Sequence, residues 1–501
     1  MLHDYVKRIL NAKIYDLAIE TPLQYAPQLS ARFNHDVWIK REDCQRVFSF
    51  KLRGAYNKMR RLHADELAKG VIAASAGNHA QGVAIAAQTL AVQATIVMPE
   101  TTPAIKVNAV KSRGAQVVLW GDTYDQAAEH ANKLAKEKGI TYIHPYDDVD
   151  VIAGQGTVAM EILRQCNQSI DAVFIPVGGG GLAAGMAAYI KALQPHIKII
   201  AVEPEDAACL QAAMAQQTRA ILPSVGIFAD GVAVKQIGEQ PFSVLRDTVD
   251  DVLTVSTDEI CAAIKDIFED TRSIAEPAGA VGLAGLKQYA QQHNERQTLV
   301  TVESGANMNF DRLRYIAERT DFAEKREAIF SVAIPEEKGS FYRFCQQLGR
   351  RNITEFNYRY ADDASAYVFV GMQLNSPKDR AELLGALNHL GYTAVDMTDN
   401  EMAKVHVRHM VGGKPLYTKP ERIYRFEFPE RPGALLNFLA QLGQQWNVSM
   451  FHYRNHGSAF GRVLVGLHAE ESEKSAIEHA LSQLHYSFVD ETNNVAYQHF
   501  L

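Results

Sequence analysis

The sequence predicts an α/β protein followed by two small α+β modules. Three observations carry this reading. Apolar, β-rich runs alternate with alanine-rich helical stretches from about residue 36 to 305; the alternation stops near residue 320; and the chain beyond it repeats itself once. A length of 501 residues suits on the order of two to four domains. With 47% hydrophobic and 22% charged residues, the chain has the composition of an ordinary globular protein able to bury a large core.

In the first region, residues 37–39, 70–74, 93–98, 116–119, 172–177, 197–202 and 298–302 read as short buried strands. Between them, 78–90, 124–138 and 181–193 have the length and alanine content of helices. Strand and helix in alternation imply a mostly parallel sheet covered on both faces. Such sheets bind ligands at the carboxyl ends of their strands, so the strand-to-helix turns are the places to look for chemistry.

The charged stretch 318–327 reads as a solvated linker or helix end. Beyond it, Ile334-Pro-Glu-Glu-Lys-Gly339 matches Phe428-Pro-Glu-Arg-Pro-Gly433 at an offset of 94, and 344–349 matches 438–443 at the same offset. Tyr358-Arg359 matches Tyr453-Arg454 at 95, so the second copy gained one residue in between. Each copy reads strand, Pro/Gly turn, amphipathic helix, strand, strand (366–374 and 461–468) and a later helix (378–390 and 474–484). A Gly- and Pro-containing loop at 408–420 separates them.

A formal net charge of −7 argues against nucleic acid as the main partner. No apolar stretch approaches the roughly eighteen residues a membrane helix needs. Residues 1–10 carry Asp4, Lys7 and Arg8 and lack the apolar core of a signal peptide. Five scattered cysteines (Cys44, Cys166, Cys209, Cys261, Cys345) fit free thiols in a reducing, cytoplasmic compartment better than disulfides or a zinc site.

Four motifs stand at candidate strand-to-helix turns or a helix start. Val177-Gly178-Gly179-Gly180-Gly181-Leu182 follows one strand and opens a helix, so its backbone amides and the helix dipole can receive a phosphate; a flexible turn is the competing reading. Ser49-Phe50-Lys51-Leu52-Arg53-Gly54-Ala55 places a lysine among Phe48, Phe50 and Leu52, where desolvation would lower its pKa and favour Schiff-base chemistry. Against this, a lone lysine near a helix start is usually solvated. Ser75-Ala76-Gly77-Asn78-His79 offers amides for a carboxylate, with helix capping by Ser75 or Asn78 as the alternative. Glu303-Ser304-Gly305-Ala306-Asn307 ends another strand and, alone, reads as a turn.

In this order the four motifs closely resemble the biosynthetic threonine deaminases (threonine ammonia-lyases), which are fold-type II (tryptophan synthase β-like) pyridoxal 5'-phosphate (PLP) enzymes. The resemblance runs over essentially the whole chain. It implies a PLP-dependent catalytic domain over 1–320 and ACT-like regulatory modules over 326–400 and 420–493. It further implies that Lys51 holds PLP as a Schiff base and acts as the catalytic base. Asn78 would bond the cofactor's ring hydroxyl, Gly178, Gly179, Gly180, Gly181 and Leu182 would cradle its phosphate, and Ser304 would face the pyridine nitrogen. Ser75, Ala76, Gly77, Asn78 and His79 would receive the substrate carboxylate.

The implied reaction is a carbon–nitrogen lyase step that converts L-threonine to 2-oxobutanoate and ammonia, opens isoleucine biosynthesis and is inhibited by isoleucine, in a homotetramer. Small amino acids bind such modules at the turn after the first strand, marked here by Gly339 and Gly433, or between paired modules. The similar serine racemases carry a serine where this chain has Ala76, and a methyl moves no proton. Those relatives also bind a divalent cation with a Glu and an Asp; here Glu203 is matched by Cys209, so no metal is expected. An L-serine dehydratase and a non-catalytic amino-acid sensor are the competing readings. Arg53 and His79 are explained as well by an ion pair and a helix-start cap. Glu276, in Ala275-Glu276-Pro277, is left open between a place beside the cofactor and a helix cap.

Overall fold

The computed structural model of the chain describes all residues except 324–326, 336–343, 345–346, 349–352, 360–364, 375, 377, 410–419, 430–445, 455–459 and 484–485. These form two units, Met1–Ile316 and Ala317–Leu501.

The first unit holds β1 (Leu23–Tyr25), β2 (Asp36–Arg41), β3 (Val71–Ala74), β4 (Ala94–Met98), β5 (Gln116–Leu119), β6 (Thr141–Tyr142), β7 (Ala172–Pro176), β8 (Lys198–Pro204), β9 (Asp251–Val255) and β10 (Thr298–Glu303). They build two sheets where the sequence suggested one. The larger runs β1-β2-β10-β7-β8-β9, with β1 its one antiparallel member; the smaller runs β5-β4-β3-β6 and is wholly parallel. Pairing of β2 with β10, whose Asp36 lies opposite Thr298, spans most of the unit and leaves no local trace in sequence.

β3, β7 and β10 are buried along their whole length, as parallel strands covered on both faces are. β5 departs from expectation. It is an edge strand with Gln116 and Leu119 exposed, because nothing pairs with it beyond β4.

The three expected helices occur as Asn78–Leu90, Tyr124–Lys138 and Gly181–Leu193. The second starts at a capping box in which Thr123 Oγ1 accepts from Gln126 N at 3.3 Å, and it stops at Gly139 in the left-handed conformation.

The second unit holds β11 (Glu327–Pro335), β12 (Ile353–Arg359), β13 (Ser365–Gln373), β14 (Thr393–Asp396), β15 (Glu421–Pro429), β16 (Asn447–Arg454), β17 (Phe460–His468) and β18 (Phe488–Asp490). Each module is a four-stranded antiparallel sheet in the order second, third, first, fourth strand. Their first strands begin 94 residues apart, and the second strand of each carries an irregularity at an equivalent place, between Ile353 and Glu355 and between Val448 and Met450. Helices Asp379–His389 and Lys474–Gln483 match the expected later helices to within a residue at each end.

Alternate residues of β11 and β13 pack on Phe344, Leu348, Leu383 and Leu387. The opposite faces of the two sheets meet, with Ile329 and Phe369 of one module in a common core with Ile423 and Leu464 of the other.

Of the two readings of 318–327, the helix end holds and, in the described residues, the solvated linker does not. Helix Arg312–Ala323 runs into it, and Glu327 is buried in β11 against Arg408, whose Nη2 lies 2.9 Å from Glu327 Oε1. A charge that has a buried partner looks, in sequence, like one in water. Gly339, Gly433 and Cys345 lie outside the described residues. No helix among the described residues is long and apolar enough to cross a membrane.

Candidate active site

Three parallel strands deliver three of the motifs. β3 ends at Ala74 before Ser75, β7 ends at Pro176 before the glycine run, and β10 ends at Glu303 before Ser304. A cleft opens there, lined among others by Phe50, Lys51, Asn78, the glycine run, Glu276 and Ser304.

Lys51 opens helix Lys51–Met59. The segment before it forms an antiparallel bridge with the Ser304 turn: Phe50 N donates to Ser304 O at 3.3 Å and Ala306 N to Phe48 O at 2.9 Å. Two residues further on, fully buried Arg53 is clamped between Glu42 (Nε to Oε2, 2.7 Å) and Glu161 (Nη1 to Oε1, 2.6 Å), while Lys40 Nζ reaches Glu161 Oε2 at 2.6 Å. This buried network, anchored on three elements, holds the helix and therefore Lys51 in place; Arg53 is the ion pair the sequence allowed.

Lys51 Nζ lies 3.4 Å from Pro145 O and 5.2 Å from the centre of the Phe50 ring. Burial pushes its pKa down to about 8, opposed by the nearby Glu276 carboxylate. Phe50 and Leu52 supply the expected apolar flank, whereas Phe48 is 54% exposed and does not.

Neither Ser75 nor Asn78 caps the following helix, whose start at Gly77 has no side-chain cap. Ser75 Oγ instead accepts from Gly77 N at 3.2 Å and closes the turn. Asn78 turns its amide into the cleft. Its Oδ1 accepts from Asn307 Nδ2 at 2.7 Å, and its Nδ2 donates to Glu276 Oε1. Ser75, Ala76 and Gly77 form the turn leading to Asn78 and are not part of the cleft lining itself. His79 is not a cap either. It is buried with Nε2 2.8 Å from Ile143 O, and burial, with Lys51 nearby, lowers its pKa to about 3. It is neutral at physiological pH.

In the glycine run, Gly180 has φ +88°, a conformation that disfavours side chains, and it hands the chain to helix Gly181–Leu193. A Cβ on Gly179 would sit 2.2 Å from the Tyr146 ring. Backbone and aromatic wall thus leave a narrow space, and the first amides of the helix, without partners inside it, face no internal acceptor. That is the shape and polarity a phosphate monoester requires. Ser304 is buried, with Oγ 3.3 Å from Ala278 O, and presents a neutral hydroxyl to the same cleft. An amine near neutrality, a glycine cradle, an amide and a hydroxyl fit the aldehyde, phosphate, ring oxygen and ring nitrogen of pyridoxal phosphate.

Glu203 is occupied otherwise than by an ion. Its carboxylate accepts from Leu210 N at 2.8 Å and Gln211 N at 2.9 Å, and Cys209 Sγ lies 3.4 Å from Gly178 O. Among the described residues no three His, Cys, Asp or Glu side chains gather to hold a metal.

Sequence reasoning missed Tyr146, Gly231, Val232 and Ala278, which also line the cleft. Tyr146 sits on a loop whose backbone is held by His144 Nδ1, accepting from Asp147 N at 2.8 Å, and only the fold brings that loop to the glycines. Glu276 starts helix Pro277–Gln292 without capping it and lines the cleft. Burial, with Asp230 adding to it, raises its pKa to about 7.

Residues 14–305 match the family model of the pyridoxal-phosphate dependent enzymes, and residues 318–407 and 412–501 each match the C-terminal regulatory domain of threonine dehydratase. Over 500 residues the chain is 52% identical to the biosynthetic L-threonine dehydratase IlvA of Escherichia coli, covering 99% of this chain and 97% of that one. It is 49% identical over 514 residues to the mitochondrial threonine dehydratase of Saccharomyces cerevisiae, covering 99% and 89%. Among solved structures, the processed threonine deaminase isoform 2 of Solanum lycopersicum is similar with a TM-score of 0.62 and 50% identity, over 64% of this chain and 88% of that one. Maize serine racemase is similar with a TM-score of 0.59 and 33% identity, over 62% and 95%. The chain therefore belongs to the pyridoxal-phosphate dependent enzymes and carries, twice over, the regulatory domain found at the C-terminus of threonine dehydratases.

Proposed function

We propose that the chain deaminates L-threonine to 2-oxobutanoate and ammonia and is inhibited by isoleucine through its C-terminal modules. The observation that carries the catalytic half is the convergence of Lys51, Asn78, the glycine run and Ser304 on one cleft, in a chain about half identical over its full length to threonine dehydratases. Bound there, pyridoxal phosphate supplies the electron sink for negative charge at the substrate's α-carbon.

The chain's own residues do the rest. The turn Ser75–His79 orients the substrate carboxylate, which places the α-hydrogen towards Lys51. Lys51 Nζ, with a pKa near 8, holds that proton at neutral pH once it has taken it. Gly178, Gly179, Gly180, Gly181 and Leu182 anchor the cofactor's phosphate, Asn78 its ring oxygen and Ser304 its ring nitrogen. Ser304 is a hydroxyl and not an acid, so it leaves that nitrogen largely unprotonated. Ala76 offers no proton to the opposite face of the α-carbon, which favours elimination over racemisation.

The same reading assigns catalysis to 1–320 and amino-acid sensing to 326–400 and 420–493, in a cytoplasmic homotetramer. The test is release of 2-oxo acid from L-threonine by purified protein with PLP. Turnover that isoleucine suppresses and Lys51→Ala abolishes supports both halves; turnover indifferent to isoleucine removes the regulator; no turnover despite bound PLP removes threonine as substrate.

A further inference from the structure

Glu276 and Asn307 flank Asn78 from opposite sides, and neither is assigned a role above. Asn307 Nδ2 donates to Val47 O at 2.7 Å and to Asn78 Oδ1 at 2.7 Å; Asn78 Nδ2 in turn donates to Glu276 Oε1. The direction of this chain is set from its Val47 end. A backbone carbonyl only accepts, so Asn307 must turn its NH2 towards Val47, and that same NH2 reaches Asn78. Asn78 must then present oxygen to Asn307, which leaves its own NH2 towards the carboxylate. A flipped Asn78 amide would set its NH2 against the NH2 of Asn307. A carboxamide is nearly symmetric in shape, so without these partners nothing steric would select one orientation.

We propose that Glu276 and Asn307 are positioning residues that lock the Asn78 carboxamide with its second N–H facing the cofactor's ring oxygen. This rests on the reading that Asn78 meets that oxygen. Glu276 is suited to the task because its place is fixed independently: its backbone N donates to Gly305 O at 3.0 Å, and its side chain is 95% covered, lining the cleft beside Lys51 and Ser304. The charged groups around it come from several elements. Asp230 lies nearby, itself held by Lys106 (Nζ to Oδ2, 2.8 Å) and Arg312 (Nη1 to Oδ1, 3.5 Å), and Lys51 faces it across the cleft. A carboxyl group accepts through its C=O oxygen whether or not it is ionised, so the lock holds across neutral pH.

The experiment measures PLP affinity of the full-length apoprotein, by equilibrium dialysis, and the absorption spectrum of the Lys51-bound cofactor. Glu276→Ala and Asn307→Ala should each weaken PLP binding about tenfold, the worth of one well-made hydrogen bond in a buried site, and shift the absorption band. Glu276→Gln, which still offers an accepting oxygen, should stay within about threefold of the parent. Asn307→Asp keeps the size but reverses the polarity and should lose at least as much as Asn307→Ala.

Parent-like affinity and spectrum in Glu276→Ala, or equal loss in Glu276→Gln and Glu276→Ala, overturns the lock. Circular dichroism checks folding, and should Glu276→Ala fail to fold, the contrast between Glu276→Gln and Asn307→Asp decides. Asn78→Ala separates this proposal from the reading beneath it. If only Asn78→Ala weakens binding, the lock falls and the site stands; if Asn78→Ala also binds normally, both fall.

Discussion

Asn400 and Asn494 stand 94 residues apart at the same position of the two C-terminal modules, and they bond to each other, Asn400 Nδ2 donating to Asn494 Oδ1 at 3.1 Å. Each also caps its own short helix, Asn400 Oδ1 accepting from Ala403 N and Asn494 Oδ1 from Ala496 N. The surroundings repeat as well. Ile329 N donates to Thr398 Oγ1 and Ile423 N to Thr492 Oγ1, both at 3.1 Å, while Arg380 pairs with Asp396 as Lys474 does with Asp490. Equivalent residues meeting each other mark a local two-fold axis between the modules.

Asn494→Ala removes a cap and the bond across the axis together, so it should destabilise the C-terminal unit by about 1–2 kcal/mol. A double-mutant cycle with Asn400→Ala, read by urea unfolding of the full chain, should show coupling of about 0.5 kcal/mol or more. Strict additivity would mean that the two residues act only as separate caps.

Capture of PLP by the apoprotein needs the neutral amine of Lys51. With a folded pKa near 8, the rate should rise about tenfold per pH unit below 8 and level off above it. Stopped-flow absorbance across pH 6–10 reads this directly. A rise continuing to pH 10 would place the lysine in water.

Glu276 is raised from the usual carboxyl value to about 7, chiefly by burial. The folded state therefore keeps a proton that the unfolded chain releases. Its favourable contribution is complete below the unfolded pKa and is lost as pH rises through 7. Glu276→Gln escapes that loss, so its melting temperature relative to the parent should be higher at pH 8 than at pH 5, with a difference in stability of about 2 kcal/mol. Thermal scans of the apoproteins at the two pH values test the sign.

Gly179→Ala would press a methyl into the Tyr146 ring. It should weaken PLP affinity by about tenfold or more while leaving the fold intact, since the loop faces a cleft and not the core. Trimming the ring in Gly179→Ala/Tyr146→Ala should recover part of the loss. No recovery would mean that the Tyr146 ring is not what the added methyl meets.

Much of the site could be read in the chain because each motif is local: a strand, a turn rich in glycine or small polar residues, then a helix. Each motif alone had a bland reading, and Lys51, Ser304 and the glycine run could be named only from the four motifs taken together; the structure brings them to one cleft. What each polar side chain bonds to was less legible. For Ser75, Asn78 and His79 a helix cap was the reading that competed with a ligand contact, and none of them is a cap. A cap and a cleft residue share the same local sequence, and the partner that decides between them, Glu276, Asn307 or Ile143, lies far along the chain. The repeated Asp396-Met-Thr-Asp-Asn400 and Asp490-Glu-Thr-Asn-Asn494 was present in the sequence all along, but short polar matches carry meaning only once their residues are seen to meet.

By itself, then, the sequence determined the alternation of strand and helix and the doubled module, since these rest on periodicity and turn chemistry within a few residues, and it placed the four candidate motifs at strand-to-helix turns or a helix start. Only the tertiary structure decided that the strands divide into two sheets, that Glu327 is buried with Arg408, and that Glu276 turns to Asn78. Those outcomes depend on pairing and desolvation between residues far apart in the chain, and neither is written into local sequence.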